Sequence, residues 1–274
     1  MTTIAIPGGG NSEILQVVKA TKDLYGEAVQ FVIFDEGENL DPSAPWDYHQ
    51  TSKAERIPEA VKFVAAGHAD ILMKGIVSTH DILKEVLQKE YNLRDQKLLS
   101  HVAIMHLEQL DRPILMTDSG MNIEPDAEQL KMIVKNAVKV AHQIGISHPK
   151  VALLSSAETY NPKMPSSVLA TEVTQSLVLE DATIYGPLSL DLALSQEAVA
   201  HKRFSGPIAG DADILVVPNI DAGNVFYKSL LLFTNATMGG TIVGTKIPIV
   251  VTSRSDSTAS KIAALDLALK QLGG

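Results

Sequence analysis

Cysteine is missing from all 274 residues, which excludes a disulfide framework, cysteine-rich metal sites and a thiol nucleophile. Covalent catalysis on this chain cannot pass through a cysteinyl intermediate. A basic surplus is missing too: 23 Lys and Arg stand against 32 Asp and Glu, a formal charge of -9. Broad nucleic-acid binding needs a concentrated cationic surface, so this balance argues against it and leaves only local basic pockets. No apolar run approaches the roughly 18 to 20 residues that cross a bilayer. The longest candidate, 247–251, is bounded by Lys246 and Ser253. The opening run Ile4-Ala5-Ile6 stops at Pro7 and three glycines, without the basic and apolar regions of a secretory signal, and a cytoplasmic location is expected. Metal-site spacing is equally absent. The eight histidines form no HExxH, His101, His106, His142 and His148 fall in unrelated contexts, and no metal is expected. The chain also lacks the GxxxxGK[ST] phosphate loop and the GxSxG nucleophile elbow.

What is present is alternation. Short β-rich runs at 31–34, 70–73, 102–105, 114–116, 151–154, 182–185, 213–217 and 247–251 are separated by longer helical patterns. Several are apolar on consecutive residues, as strands covered by helices on both faces are, so the pattern predicts an α/β fold with mostly parallel sheet. Ligands are then expected at the loops that follow the strands. The clearest helix spans about 125–144, with Leu130, Ile133, Val134, Ala137, Ala141 and Ile144 on one stripe, a proline at its start and Gly145 after it. It is read as an interlobe connection. A second crossing is expected around 238–246, where glycines and threonines cluster. These breaks divide the chain into a first α/β lobe of 1–125 plus 246–274 and an inserted second α/β lobe of 126–245.

Four segments could carry chemistry. Ser253 and Arg254 follow the strand at 248–251 and precede an amphipathic segment at 261–272, so they stand where a helix start offers unpaired N–H groups. A guanidinium adds forked donors that match phosphate oxygens. The alternative is that Asp256 or Ser257 caps the helix and Arg254 is a solvated charge. The run Asp70 to Thr79 reads as strand, glycine turn and helix start. It places Lys74, Gly75, Ser78 and Thr79 at a strand's end, where Lys74 faces either an anion or solvent. The turn Pro7-Gly8-Gly9-Gly10-Asn11-Ser12 lacks GxGxxG spacing and is read as a tight turn with Asn11 or Ser12 as cap. Asn224 is a candidate cap for the helix after Pro218, with Lys228 one turn further on. Asp211 and Asp213 are read as turn residues.

Taken in order, these segments resemble the phosphate acetyltransferase and phosphate butyryltransferase family, with the butyryl branch nearest. The resemblance is carried by ADILMKGIVST (69–79), LLSHVAIM (98–105), TDSGMNIEPDAEQLKMIVKNAV (117–138), PKVALLSSAE (149–158), GPLSLDLALS (186–195), GDADILVVPNIDAGNVFYK (210–228) and PIVVTSRSDS (248–257). It implies a two-lobed fold like the isocitrate and isopropylmalate dehydrogenases, with an interlobe cleft. It also implies reversible transfer of a short-chain acyl group from coenzyme A to phosphate in a ternary complex, without metal or tightly bound cofactor. Acyl-CoA and phosphate would be the substrates, with neither nucleic acid nor membrane as partner, and the chain would form a homodimer or higher homo-oligomer.

For the site, the resemblance implies Ser253, Arg254 and Asp256 as catalytic candidates. Lys74, Gly75, Ser78, Thr79, Ser100, His101, Asp118, Asn224 and Lys228 are the candidates for binding phosphate and CoA. Acetyl-transferring members can carry an acid seven positions after the serine, where this chain has Ser260. That puts the identity of the base in doubt and leaves Asp256 as a substitute or a cap. Ser119 stands where acetyl-type sequences can have cysteine, which is compatible with a structural role. Rival readings are phosphate acetyltransferase, a metal- and nucleotide-dependent hydroxyacid dehydrogenase on the same fold, and a non-catalytic CoA-binding paralogue.

Overall fold

The computed structural model describes residues 1–37, 44–253 and 256–273. Two compact units emerge, one of Met1–Lys97 with Gly239–Gly273, the other of Leu98–Met238. The first opens with β1 (Thr2–Pro7), α1 (Ser12–Tyr25), β2 (Val29–Asp35), β3 (Asp47–Gln50), α2 (Arg56–Ala65), β4 (Ile71–Met73) and α3 (Thr79–Val86). The second contains β5 (Ser100–His106), β6 (Ile114–Thr117), α4 (Ala127–Gln143), β7 (Lys150–Leu154), α5 (Pro165–Ser176), β8 (Thr183–Leu188), α6 (Leu190–Leu194), α7 (Gln196–Lys202), β9 (Ile214–Val216) and α8 (Ile220–Phe233). The chain returns to the first unit through β10 (Thr237–Val243), β11 (Ile249–Val250) and α9 (Thr258–Leu272).

In the first unit the strand order is β3-β2-β1-β4-β11-β10. Every pair but the last is parallel, and β10 runs antiparallel to β11. In the second the order is β5-β6-β9-β7-β8, parallel except for β5 against β6. The fully apolar strands are buried as two-sided parallel strands must be. Ile4, Ile6, Phe31, Ile71 and Met73 meet Val17 of α1 and Leu265 of α9 in one core. Met105, Met116, Ala152 and Leu215 meet Leu188 and Leu192 in the other. Each large apolar side chain so buried contributes about 1.5–3 kcal/mol.

Three expectations need correcting. The helix read as an interlobe connection is α4, and it lies inside the second unit. Asp126 caps it with a full capping box to Gln129, and its stripe of Leu130, Ile133, Val134 and Ala137 is buried. The first boundary falls at 97/98 rather than 125/126 because β5 and β6 pair with each other and β6 pairs with β9. The second falls at 238/239 rather than 245/246, within β10. The boundary lies within the stretch where a crossing was expected, 238–246, and that crossing is made by a strand: Thr241 pairs with Val250 and Ile242 with Ile249. A Cβ on Gly239 would lie 2.2 Å from the Ala264 nitrogen, so glycine is what lets α9 pack directly on this strand. The polar strand β3 (DYHQ) has no apolar pattern to announce it. It forms only because β2 offers a parallel edge, with Val32 paired to Asp47 and Phe34 to His49.

Candidate functional site

In the first unit β1, β2, β4 and β11 are parallel, so their carboxyl ends share one edge, and the loops leaving that edge are stitched together by main-chain bonds. Gly8 N donates to Phe34 O at 2.8 Å, Ile76 N to Gly8 O at 2.8 Å, and Lys74 N to Val250 O at 2.9 Å. Gly75 lies where the two glycine turns meet. A Cβ there would sit 2.3 Å from the Gly8 oxygen, which only glycine avoids. Lys74 is not in solvent. It is 6% exposed, and its ammonium donates to Thr252 O at 3.0 Å, with Gly75 O at 3.5 Å. Ser78 is the N-cap of α3, accepting from Asp81 N, and Thr79 is that helix's first residue.

After β11, Ser253 and Asp256 bond to each other. Ser253 N donates to Asp256 Oδ2 at 2.7 Å, and Asp256 N donates back to Ser253 O at 3.2 Å. Arg254 lies outside the described residues. Ser257, not Asp256, caps α9 by accepting from Ser260 N at 3.1 Å. Ser260 is itself buried beside that cap, its hydroxyl 3.3 Å from the Ser257 hydroxyl.

A further buried pair on this edge escaped the sequence reading. Asp35, the last residue of β2, accepts from Arg56 Nη1 at 3.0 Å and from Gly10 N at 2.9 Å, while Arg56 Nη2 donates to Ile76 O at 3.3 Å. The pair thus fixes the Pro7 to Asn11 turn against the turn after β4. Tyr48 lies beside it, its hydroxyl donating to Glu36 O at 3.2 Å. Burial, and then the charges of Asp35 and Glu36, raise the Tyr48 phenol above its ordinary value. The available signal was an aspartate closing an otherwise apolar strand. Asn11 caps α1 as expected, accepting from Glu13 N at 2.9 Å.

In the second unit, β6, β9, β7 and β8 are parallel while β5 runs against β6, with Ala103 opposite Met116. That reversal puts the beginning of β5 level with the end of β6, so His101 reaches the edge where the parallel strands finish. Its Nδ1 is 3.2 Å from the hydroxyl of the buried Ser119. Asn224 is exposed, its Nδ2 3.5 Å from Ser119 O. It does not cap α8, because Asn219 does so by accepting from Ala222 N at 2.9 Å. Lys228 is exposed one turn further along that helix. A pocket of about 420 Å³ in this unit is walled by Pro125, Pro165, Leu169 and Pro218, with Glu124, Ser166 and Asn219 as its polar lining.

Two expected ligand contacts are committed elsewhere. Ser100 is fully buried, and its hydroxyl takes a hydrogen bond from Asn136 Nδ2 at 2.9 Å, tying β5 to α4. Asp118 is buried, and its carboxylate accepts from the N–H groups of Gly120, Met121 and Asn122 and from Asn122 Nδ2 at 2.6 Å. Those bonds shape the loop that carries Ser119. Asp213, read as a turn residue, instead accepts from Arg112 Nη1 and from Lys150 N, each at 2.8 Å, while Asp211 pairs with the Lys150 ammonium. Among the described residues no three His, Asp or Glu side chains are grouped to hold a metal.

A family profile described as "Phosphate acetyl/butaryl transferase" matches residues 44–268. The chain is 45% identical over 213 residues to a phosphate butyryltransferase of Clostridium acetobutylicum, spanning 77% of this chain and 71% of that one. It is 37% identical over 211 residues to a phosphate acetyltransferase of Thermotoga maritima, spanning 76% of this chain and 72% of that one. It also resembles the crystal structure of a branched-chain phosphotransacylase from Enterococcus faecalis V583, with TM-score 0.95 and 55% identity over 99% of both chains. A β-decarboxylating dehydrogenase from Thermococcus kodakarensis shares the fold alone, with TM-score 0.51 and 14% identity over 100% of this chain and 84% of that one. The mixed α/β fold with its mostly parallel sheet is therefore common to phosphotransacylases and dehydrogenases of the isocitrate type.

Proposed function

The chain belongs to the phosphate acetyl/butyryl transferase family, and from that premise we propose that it exchanges butanoyl-CoA and phosphate for butanoyl phosphate and CoA, by direct transfer in a ternary complex. The coarser activity, phosphate acyltransferase, is the family's. One observation carries the site assignment: the Ser253 turn, closed by Asp256, leaves the carboxyl end of β11 beside the buried ammonium of Lys74. There the Ser-Arg likeness falls at an edge rich in donors.

In this reading a phosphate oxygen attacks the thioester carbonyl, the carbonyl oxygen becomes anionic as the C–O bond forms, and collapse of that adduct restores the carbonyl and breaks the C–S bond, its electron pair leaving with sulfur. Arg254 and the N–H groups around the start of α9 hold phosphate, because forked and main-chain donors match its oxygens. Ser253 donates to the oxyanion or the departing sulfur. Asp256 holds the turn through Oδ2, which accepts from Ser253 N, and remains the candidate for the thiol proton. CoA's thiol titrates near about 8.5, so the sulfur leaves with little need of a strong acid, and positioning supplies most of the acceleration. In the second unit, His101, Asn224 and Lys228 contact CoA, and the proline-walled pocket takes an apolar part of acyl-CoA. The assignment to a cytoplasmic enzyme follows the same family reading. Self-association fits α8, an apolar helix whose Leu232 and Phe233 are 76% and 83% exposed; a second copy would cover them. Light scattering on Phe233→Glu tests that, with a shift toward monomer expected.

The decisive assay follows thiol release from acetyl-, propionyl- and butanoyl-CoA with and without phosphate. Phosphate-dependent release with the highest kcat/KM for butanoyl-CoA is expected, with intersecting initial-rate lines. Release that ignores phosphate overturns the reading, and a preference for acetyl-CoA corrects the chain length.

A further inference from the structure

Lys261 lies in the first turns of α9, where a cation opposes the helix dipole, and it is 2% exposed, where an unpaired ammonium is costly. Both features disfavour lysine at this position unless its charge is used. Its ammonium makes two short contacts: to Asp256 O at 2.6 Å and to Glu13 Oε1 at 2.5 Å. Glu13 stands in the first turn of α1, with its main-chain N–H held by the Asn11 cap. Asp256 is the residue whose carboxylate and N–H close the Ser253 turn. An unbroken chain of contacts therefore runs from α1 through Glu13, Lys261 and Asp256 to Ser253.

We propose that Lys261 is a positioning residue for phosphate: its buried ammonium, braced by Glu13, clamps the Asp256 carbonyl and so sets the turn that presents Ser253. The proposal rests on the phosphate-site reading above and deepens it. The physical logic is that a main-chain carbonyl held by a buried ammonium cannot reorient without stranding that charge, so Asp256 keeps its bonds to Ser253. Phosphate then meets donors already in place instead of ordering them on binding. Glu13 supplies the counter-charge that makes the buried ammonium tolerable and reaches the solvent side, which is why it is only half-covered while Lys261 is not.

Two measurements on the full chain test this. The first is amide hydrogen exchange over 253–257. In Lys261→Met, exchange there should rise at least tenfold while the carboxyl-terminal half of α9 keeps its protection. The second is calorimetric titration with inorganic phosphate. Affinity should fall by about ten- to a hundredfold, with KM for acyl-CoA within twofold of wild type and partial recovery in Lys261→Arg. Loss spread evenly over phosphate and acyl-CoA, or exchange unchanged at 253–257, overturns the clamp. If Lys261→Met does not fold, Glu13→Gln gives the same two readouts at a half-covered position, with smaller shifts of the same sign expected and no shift counting against the proposal. If wild type binds no phosphate, the site reading fails by itself, and the exchange measurement still decides whether Lys261 sets the turn.

Discussion

The ammonium of Lys74 donates to the main-chain carbonyl of Thr252 at 3.0 Å while its own N–H pairs with Val250 O at 2.9 Å. The end of β4 thus grips the chain on both sides of Val251, immediately before the Ser253 turn. Lys74→Met leaves a buried carbonyl without this donor. A loss of about 1–3 kcal/mol in urea unfolding is expected, together with at least a tenfold fall in phosphate-dependent thiol release. Full activity in a folded Lys74→Met protein would remove Lys74 from the site.

Gly75→Ala tests the junction of the two glycine turns. The new Cβ would sit 2.3 Å from Gly8 O, a main-chain atom, so the loops must part. Destabilisation of about 3 kcal/mol or more is expected by urea titration. A change below about 0.5 kcal/mol would mean that the β1 and β4 turns separate freely.

Ser100 and His101 are neighbours in sequence with opposite surroundings. Ser100→Ala removes one of two acceptors of Asn136 Nδ2, the other being Leu98 O, and should cost about 1 kcal/mol of stability with unchanged KM for acyl-CoA. His101→Ala should do the reverse, raising KM for acyl-CoA with little effect on unfolding. Equal effects of the two substitutions on KM would contradict the placement of His101 at the strand-end edge.

Arg254→Ala should lower turnover by at least roughly a hundredfold with the fold retained, because a donor to phosphate or oxyanion is typically worth about 3 kcal/mol. Circular dichroism alongside steady-state rates separates this from unfolding. Turnover near that of wild type would sink the Ser-Arg assignment.

Tyr25 donates to Asp266 Oδ1 at 2.7 Å, linking α1 to α9. Burial first, then that hydrogen bond, pushes its phenol from 10.0 up to about 12. A raised folded value means the stabilisation is fully present below pH 10 and is lost as pH rises through 12. The difference in unfolding free energy between wild type and Tyr25→Phe, about 1 kcal/mol, should be flat from neutrality to pH 9. It should shrink above pH 10. A difference that grew with pH would show the phenolate to be the favoured form.

How much was legible beforehand differs by element. The strands at 31–34, 102–105 and 151–154 declared themselves because each is apolar on consecutive residues, a pattern that only two-sided burial requires. The α4 stripe, with its proline start and Gly145 stop, was equally plain, but the direction in which that helix leads was not. Whether a helix connects two units or packs within one depends on which strands pair nearby, and β5 and β6 pair with each other. β10 hid behind its glycines, whose purpose is visible only with α9 packed against Gly239.

The site divides along the same line. Ser253, Lys74 and Gly75 were found because they follow strands, and a strand's carboxyl end is fixed by chain direction alone. Ser100 and Asp118 were grouped with them through the family resemblance; one is fully buried against Asn136 and the other is surrounded by its own loop's N–H groups. Asp35 with Arg56 and Lys261 with Glu13 are separated by 21 and 248 positions, so no local pattern joins them.

The sequence by itself determined the alternation of buried strands and amphipathic helices, the cysteine-free chemistry and the Ser-Arg segment where the reaction is read. Those properties reside in residue type and short-range period, which the chain carries before it folds. Tertiary structure alone decided which polar groups hold a loop, since Lys74, Asp118, Asp256 and Lys261 take their bonds from carbonyls, amides and carboxylates that only packing brings within about 3 Å.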